Sequence, residues 1–444
     1  MWSRILGLAA AIILAPLGAK AAELVVWWEE GYDSEEDAAV SEIIAAFEQE
    51  TKKQVELAFY PQAELQERID AALEAGRPPD FAFGLNTDFN GWLSDDRLVD
   101  LTDTVGVFSS LFDPDALAWW SDDNAGQRAL IALPMGRGTN HVHVWRSLLE
   151  QAGFTLDDIP TEWDAFWAFW CDQVQPAVRR ATGREDIWGV GLAMSAEVSD
   201  THVQTVQFVQ AYEADWVTRE GRLVIDDPEV RRRLIRAIES YTTIYRKGCT
   251  PPDSVAWTSF DNNKAFLAQK VVMTPNETLS IPNALKRERP DDYYQNTATI
   301  EWPRGPRGNV FPIKGSWYGA AVFKNGTANI ATAKEFVRFL VADGWLAHYS
   351  NFAGERMLPP MPKLLDAPFW LDPSDPHRMA AAMQVASRPM QYDYIIATGN
   401  DWRYEQVWQE FVWPKAVHRV VTDGISPEQA VDEAIARIKQ ILSE

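Results

Sequence analysis

Twenty tryptophans, many beside Gly, Pro and Asn where loops are expected, dominate the chemistry open to this chain. An indole ring covers the apolar C–H face of a small solute. Planar polar side chains around it exchange hydrogen bonds with hydroxyls, so the combination suits capture of a sugar-like molecule. Trp28, Tyr60, Trp257 and Trp317 are the candidate rings. Glu29, Asn86, Asp88, Asn276, Ser316 and Arg356 are the candidate hydrogen-bonding groups, with the carboxylates the stronger acceptors. Gly315 and Ser316 allow close backbone approach to a ligand, which makes Trp317 the leading ring. Trp27 and Trp28 point to opposite faces of one strand. Trp28, nearer the carboxyl end, is expected to face the ligand and Trp27 the core. Trp163, Trp167 and Trp170 recur at helical spacing and are assigned to packing. Arg137 and Arg356 either enter the site, where they would select an anionic solute, or pair with the plentiful carboxylates.

Patterns for catalysis and cofactors do not accompany these residues. Glu29-Glu30-Gly31, after the first apolar run, lacks the G-x-G-x-x-G spacing of a dinucleotide loop and carries charge that repels phosphate. Neither a P-loop nor a G-x-S-x-G elbow occurs. His141 and His143 share one strand face and read as surface or hinge residues, and two cysteines cannot complete a zinc site by themselves. No cofactor and no metal are expected. An exported glycoside hydrolase would also use aromatic stacking and paired carboxylates, but 64 Asp and Glu residues make any one pair uninformative. A Trp-rich cage would also suit a quaternary ammonium osmolyte through cation–π attraction, aided by the negative field of the chain.

Periodicity gives the elements that must position these side chains. Leu24 to Trp28 is a continuous apolar run with β-branched and aromatic residues, the pattern of a strand covered on both faces. A helix follows with Val40, Ile43, Ile44 and Phe47 on one face, then the alternating strand Val55, Leu57, Phe59. A second helix, carrying Leu65, Ile69, Ala72 and Leu73, breaks at Gly76 and leads to a third strand over Phe81 to Gly84. The order β-α-β-α-β requires a parallel sheet, whose ligands sit beyond the carboxyl ends of its strands. Glu29, Tyr60, Asn86, Asp88 and Trp92 fall at those ends. Further on, Pro228 behind Asp226-Asp227 and Pro427 behind Ser426 each open a long amphipathic helix, the latter with Gln429 completing a capping box. Residues 279 to 309 are rich in Pro, Arg, Asp and Tyr and read as long loops.

A chain of 444 residues that is 46% hydrophobic and 24% charged has ample material for two cores, which excludes disorder and a small disulfide scaffold. Its net charge of −23 argues against nucleic acid or an anionic lipid surface as a partner. Residues 1 to 21 read as a signal peptide: Arg4, an apolar run from Ile5 to Leu17, then Ala19-Lys20-Ala21 as the cleavage pattern, with cleavage after Ala21. That run is shorter than the roughly 20 residues needed to span a bilayer, so no membrane anchor is expected. In an oxidising compartment Cys171 and Cys249 either form one bridge or remain two buried thiols; sequence leaves both open.

The segment Leu133 to Phe154 (LPMGRGTNHVHVWRSLLEQAGF), followed by Pro160-Thr161-Glu162-Trp163-Asp164, resembles family 1 of the extracellular solute-binding proteins of ABC importers. Phe266 to Asn276 looks like that family's return into the first lobe, and Gly315 to Phe323 like its glycine-rich ligand loop. Ala333 to Leu340 is similar to the helix that enters the second lobe for the last time, and Leu358-Pro359-Pro360 stands where the family has a proline-bearing turn. After the hinge the family usually shows tyrosine followed by Asn or Asp, where this chain has Val144-Trp145, and Gly138 replaces a common polar residue. The resemblance implies an α/β, two-lobed periplasmic-binding-protein fold of type II-like topology, with the ligand cleft between lobes joined by crossing hinge strands. It implies residues 22–137 plus 272–322 as the first lobe and 138–271 plus 323–444 as the second. The hinge is expected near Arg137 to Asn140, Val272 to Thr274 and Val322 to Asn325. It further implies a monomeric, periplasmic protein that is not an enzyme. Such a protein captures a mono- or oligosaccharide or polyol and delivers it to ABC permease subunits.

Overall fold

The opening apolar run forms an inner strand of a sheet, with one face buried and the other half-buried as far as Trp27. The computed structural model describes residues 22–31, 34–85, 92, 96–124, 127–324, 330–352, 356–391, 394, 397–398 and 401–443. In chain order its strands are β1 (Leu24–Glu29), β2 (Val55–Tyr60), β3 (Phe81–Leu85), β4 (Ser121–Asn124), β5 (Gln127–Leu130) and β6 (Leu133–Thr139). They continue as β7 (His141–Trp145), β8 (Trp188–Val190), β9 (Val271–Asn276), β10 (Thr297–Ile300), β11 (Ile313–Val322) and β12 (Met390–Gln391). One sheet runs β12-β11-β3-β1-β2, with β6 also paired to β11; a second runs β10-β7-β9-β8; β4 and β5 form a hairpin. β1 is parallel to both β2 and β3, as the alternating elements require.

Each sheet owns a core. Val40, Ile43 and Phe47, on the helix Ser34–Thr51, pack on the first sheet with Trp28, Phe83 and Val322. The second core gathers Trp163, Trp167 and Trp170, all buried as their helical spacing predicts, with the long helices Pro228–Arg246 and Pro427–Ser443. The capping box at the last helix is half made: the Gln429 N–H donates to Ser426 Oγ at 3.1 Å, but the Gln429 side chain turns to Glu433. Cys171 and Cys249 are bridged.

Several sequence expectations change here. The strand β9 belongs to the second sheet, so Val272 to Thr274 lies mid-strand rather than at a crossing. The helix Ile330–Ala342 packs Phe336, Val337 and Leu340 on the first core, not the second. Val322 pairs with Phe81 inside the first sheet. The chain therefore divides between the sheets differently from the expected 22–137 plus 272–322 and 138–271 plus 323–444. Among the described residues three connections cross. Thr139 to His141 links β6 to β7. The start of β11 carries Ile313 in the second core and Trp317 in the first. The third, around Leu358, exchanges two backbone hydrogen bonds with Arg137 and leads to Gln384, whose Nε2 donates to the Asn140 carbonyl at 3.0 Å. The stretch 279–309, expected as loops, holds the helix Ser280–Glu288, a π-turn over Asp292–Asn296 and β10.

At this crossing His141 and His143 are fully buried rather than on the surface. The Thr299 hydroxyl sits between His143 Nδ1 (3.0 Å) and His377 Nδ1 (2.8 Å). Burial lowers all three imidazoles: His141 to about 3, His377 to about 4 against the pull of Asp375, and His143 well below the usual value. Unfolded imidazoles take up protons near pH 6.5, and these do so only at lower pH, so the unfolded chain binds more protons in between. Stability is complete above about pH 6.5 and lost as pH falls toward 4. We expect the urea midpoint to drop between pH 7 and pH 4.5, and His143→Gln to flatten that drop. A midpoint with the same pH profile in the variant would contradict the assignment.

Candidate functional site

The carboxyl ends of β1 and β2 carry the first part of the site. Strand parity puts Leu24, Val26 and Trp28 on the buried side of β1 and leaves Trp27 half-buried. Trp27 meets Tyr60 edge-to-face at 4.9 Å between centroids, and the Arg68 guanidinium lies 4.8 Å over the Tyr60 ring. Beside them Glu29 is only 2% exposed. Its Oε1 accepts from Arg356 Nη1 at 3.0 Å, while Oε2 has no hydrogen-bond partner. Burial raises the Glu29 pKa, and the Arg356 charge opposes that rise. Gly84, at φ +122°, allows this approach: a Cβ there would lie 2.4 Å from Glu29 Cβ.

The crossing strands carry the second part. Ser316 Oγ donates to Glu277 Oε1 at 2.7 Å, and Lys314 Nζ lies 3.7 Å from the same oxygen. A side chain at Gly138 would crowd this group, since its Cβ would stand 2.9 Å from Ser316 Oγ. Lys314 Nζ donates to the Gly315 carbonyl, which fixes the backbone at the glycine. Asn276 shapes the turn after β9: its Nδ2 donates to the Thr278 carbonyl and Ser280 Oγ, and its Oδ1 accepts from Asn262.

Helices packed on the second core carry further candidates that sequence reasoning did not name. Asp200 stands in the first turn of the helix Ser199–Ala211 with its Oδ2 buried and unpartnered. Burial, then the charges of Glu277 and Asp261, hold its carboxyl well above the usual range. His202, one turn-fragment later, meets Trp408 at 5.5 Å, and Trp408 meets Phe411 at 5.3 Å. A polar residue in the first turn of a helix, with an aromatic behind it, was the available signal. The acids of this chain are too many for it to stand out.

Other candidates are not brought to a binding surface. Trp28 is 1% exposed and packs on Phe83 and Tyr349, so it is core and Trp27 is the accessible ring. Its grouping with Leu24 and Val26 was legible in the strand alternation. Trp317 is fully buried in the first core, under the Arg137 guanidinium at 5.1 Å. Arg137 in turn pairs with Asp113 at 3.3 Å, and Arg356 pairs with Glu29 and Glu36, so both arginines are neutralised from within and do not call for an anionic solute. Trp257 is buried in the second core, where its carbonyl accepts from Ser195 Oγ. Asn86 and Asp88 lie outside the described residues.

Two sheets joined by crossing strands, with polar and aromatic groups at the joint, match what sequence comparison finds. Residues 42–380 fit the family model of bacterial extracellular solute-binding proteins. The chain belongs to this family. No curated relative matches this solute-binding protein in sequence. Among solved structures it is similar to an ABC transporter solute-binding protein of Thermotoga lettingae bound with α-D-tagatose. Identity is 17%, with 95% of this chain and 100% of that one covered and a TM-score of 0.72. The GacH receptor of Streptomyces glaucescens, solved unliganded and with acarbose, is 16% identical, covering 95% and 98% of the chains at a TM-score of 0.71. A sugar transporter protein of Arthrobacter chlorophenolicus with bound laminaribiose is 12% identical, covering 94% and 99% at 0.70. At these identities the likeness establishes the two-lobed fold.

Proposed function

We propose that this solute-binding protein captures a neutral carbohydrate, a mono- or oligosaccharide or polyol, between its lobes and delivers it to the membrane subunits of an ABC importer. The observation that carries this reading is the half-buried Trp27–Tyr60 ring pair beside a buried Glu29 whose Oε2 lacks a partner. A ring covers a sugar's C–H face and a carboxylate oxygen takes its hydroxyl proton. Internal neutralisation of Arg137 and Arg356 favours a neutral over an acidic sugar. Tagatose, acarbose and laminaribiose in structures of the same fold support the class.

Each lobe is the unit built on one sheet, and ligand bridging them shifts an open and closed equilibrium toward closure. The protein acts in the periplasm as a monomer after removal of residues 1–21; among the described residues no helix is long and apolar enough to cross a membrane. It captures stoichiometrically and turns nothing over. The test is thermal unfolding of ligand-stripped protein against sugars, polyols, sugar acids and quaternary ammonium compounds. At 100 times its dissociation constant a ligand adds about 2.7 kcal/mol. We expect a selective response to one neutral carbohydrate class, weakened at least tenfold in affinity by Trp27→Ala. A response confined to quaternary ammonium compounds would overturn the substrate class.

A further inference from the structure

A cavity of about 800 Å³ lies where the two lobes meet, apart from the groups at the carboxyl ends of the strands. The helix Ser199–Ala211 sets the separation. Asp200 begins it near Glu277, Gln207 at mid-helix accepts from the Lys314 N–H and donates to the Pro312 carbonyl, and Gln210 at its end lines the cavity. Ten residues of helix put the cavity about 15 Å from Asp200. Its apolar lining includes Val217, Phe311 and Met390, with Val310 exposed. Asp115 enters from the first lobe, on the short helix Pro114–Trp119, and Asp215 from the second.

The charges here are incomplete. Asp215 Oδ1 accepts from Gln210 Nε2 at 2.5 Å and Tyr394 Oη at 2.7 Å, and burial raises its pKa. Neither Asp115 nor Asp215 joins an ion pair among the described residues. Glu213 is taken by Arg233 and Arg307, and the exposed Arg219 and Glu220 also line the cavity, the Arg219 charge acting on Asp215 against the effect of burial. Apolar lining beside two carboxyls, one from each lobe, is complementary to a molecule with an apolar body and one positive charge. We propose that this cavity is a second small-molecule site, selective for an organic cation with an apolar body and distinct from the carbohydrate cleft.

The probe is 2-phenylethylammonium, with 2-phenylethanol and phenylacetate as neutral and anionic counterparts, titrated calorimetrically into the full chain. The expected result is one site for the ammonium, at least tenfold weaker binding of both counterparts, and at least tenfold loss in Asp215→Asn and Asp115→Asn. Val310 is 47% exposed, so Val310→Trp fills the cavity without touching the core and should abolish binding while the carbohydrate thermal response persists. No binding of the ammonium, equal binding of the alcohol, or unchanged binding in Val310→Trp would each overturn the proposal.

Discussion

Replacing Arg356 by Met is expected to destabilise the first lobe by about 3–5 kcal/mol, the cost of removing one partner from a buried ion group. Arg356 Nη1 lies 3.0 Å from Glu29 Oε1 and its Nε 3.3 Å from Glu36 Oε2, and both acids are 2% exposed. Met leaves the Glu29 and Glu36 carboxylates in a low-dielectric interior without the guanidinium that faces both. The sign of the pH response follows. In the native protein the Glu29 pKa already stands above its usual value, with Arg356 holding it down. Without Arg356 it rises further, so the folded variant binds more protons than the unfolded chain, and its stability falls as pH rises through that interval. The deficit against wild type should therefore shrink from pH 7 to pH 5. Adding Glu29→Gln and Glu36→Gln should restore part of the loss. Urea unfolding of the single and triple variants decides it, and a cost below about 1 kcal/mol for the single variant would show that the group is not the electrostatic unit described.

Opening the Cys171–Cys249 bridge should cost the second lobe about 4 kcal/mol. The two cysteines are 78 residues apart, and a loop of that length loses slightly less closure entropy than the roughly 4.7 kcal/mol of a 100-residue loop. The bridge ties the π-helical turn Phe169–Val174 to the end of the segment after helix Pro228–Arg246. It also backs β8: the Val190 N–H donates to the Cys249 carbonyl at 3.0 Å, and a Cβ on Gly189 would lie 2.3 Å from the Trp170 carbonyl oxygen. Denaturant unfolding of the protein with and without a reductant, and of the Cys171→Ser/Cys249→Ser double variant, should show a lower second-lobe midpoint in both cases. Coincident midpoints would mean that the turn is held by packing alone.

Sequence by itself determined what depends on neighbours along the chain. The period of two in Leu24, Val26, Trp28 and the helical recurrence of Val40, Ile43, Ile44, Phe47 or of Trp163, Trp167, Trp170 fix which side chains share a face, because backbone geometry sets those periods. Order of elements then fixed the parallel opening sheet, and the motif from Leu133 to Phe154 the family. Tertiary structure alone decided the rest. The run Val271–Asn276 is equally apolar in either sheet, and only its pairing with β7 assigns it to the second. The rings of Trp257 and Trp317 are buried because distant segments cover them, and the pairing of Cys171 with Cys249 depends on how helices separated along the chain pack together. Apolar burial is non-directional, so a sequence states that a residue is to be covered without stating by what. The arginines show the same limit for charge. From sequence Arg137 and Arg356 could either enter the site or pair with carboxylates, and only the tertiary structure brings Asp113, Glu29 and Glu36 beside them.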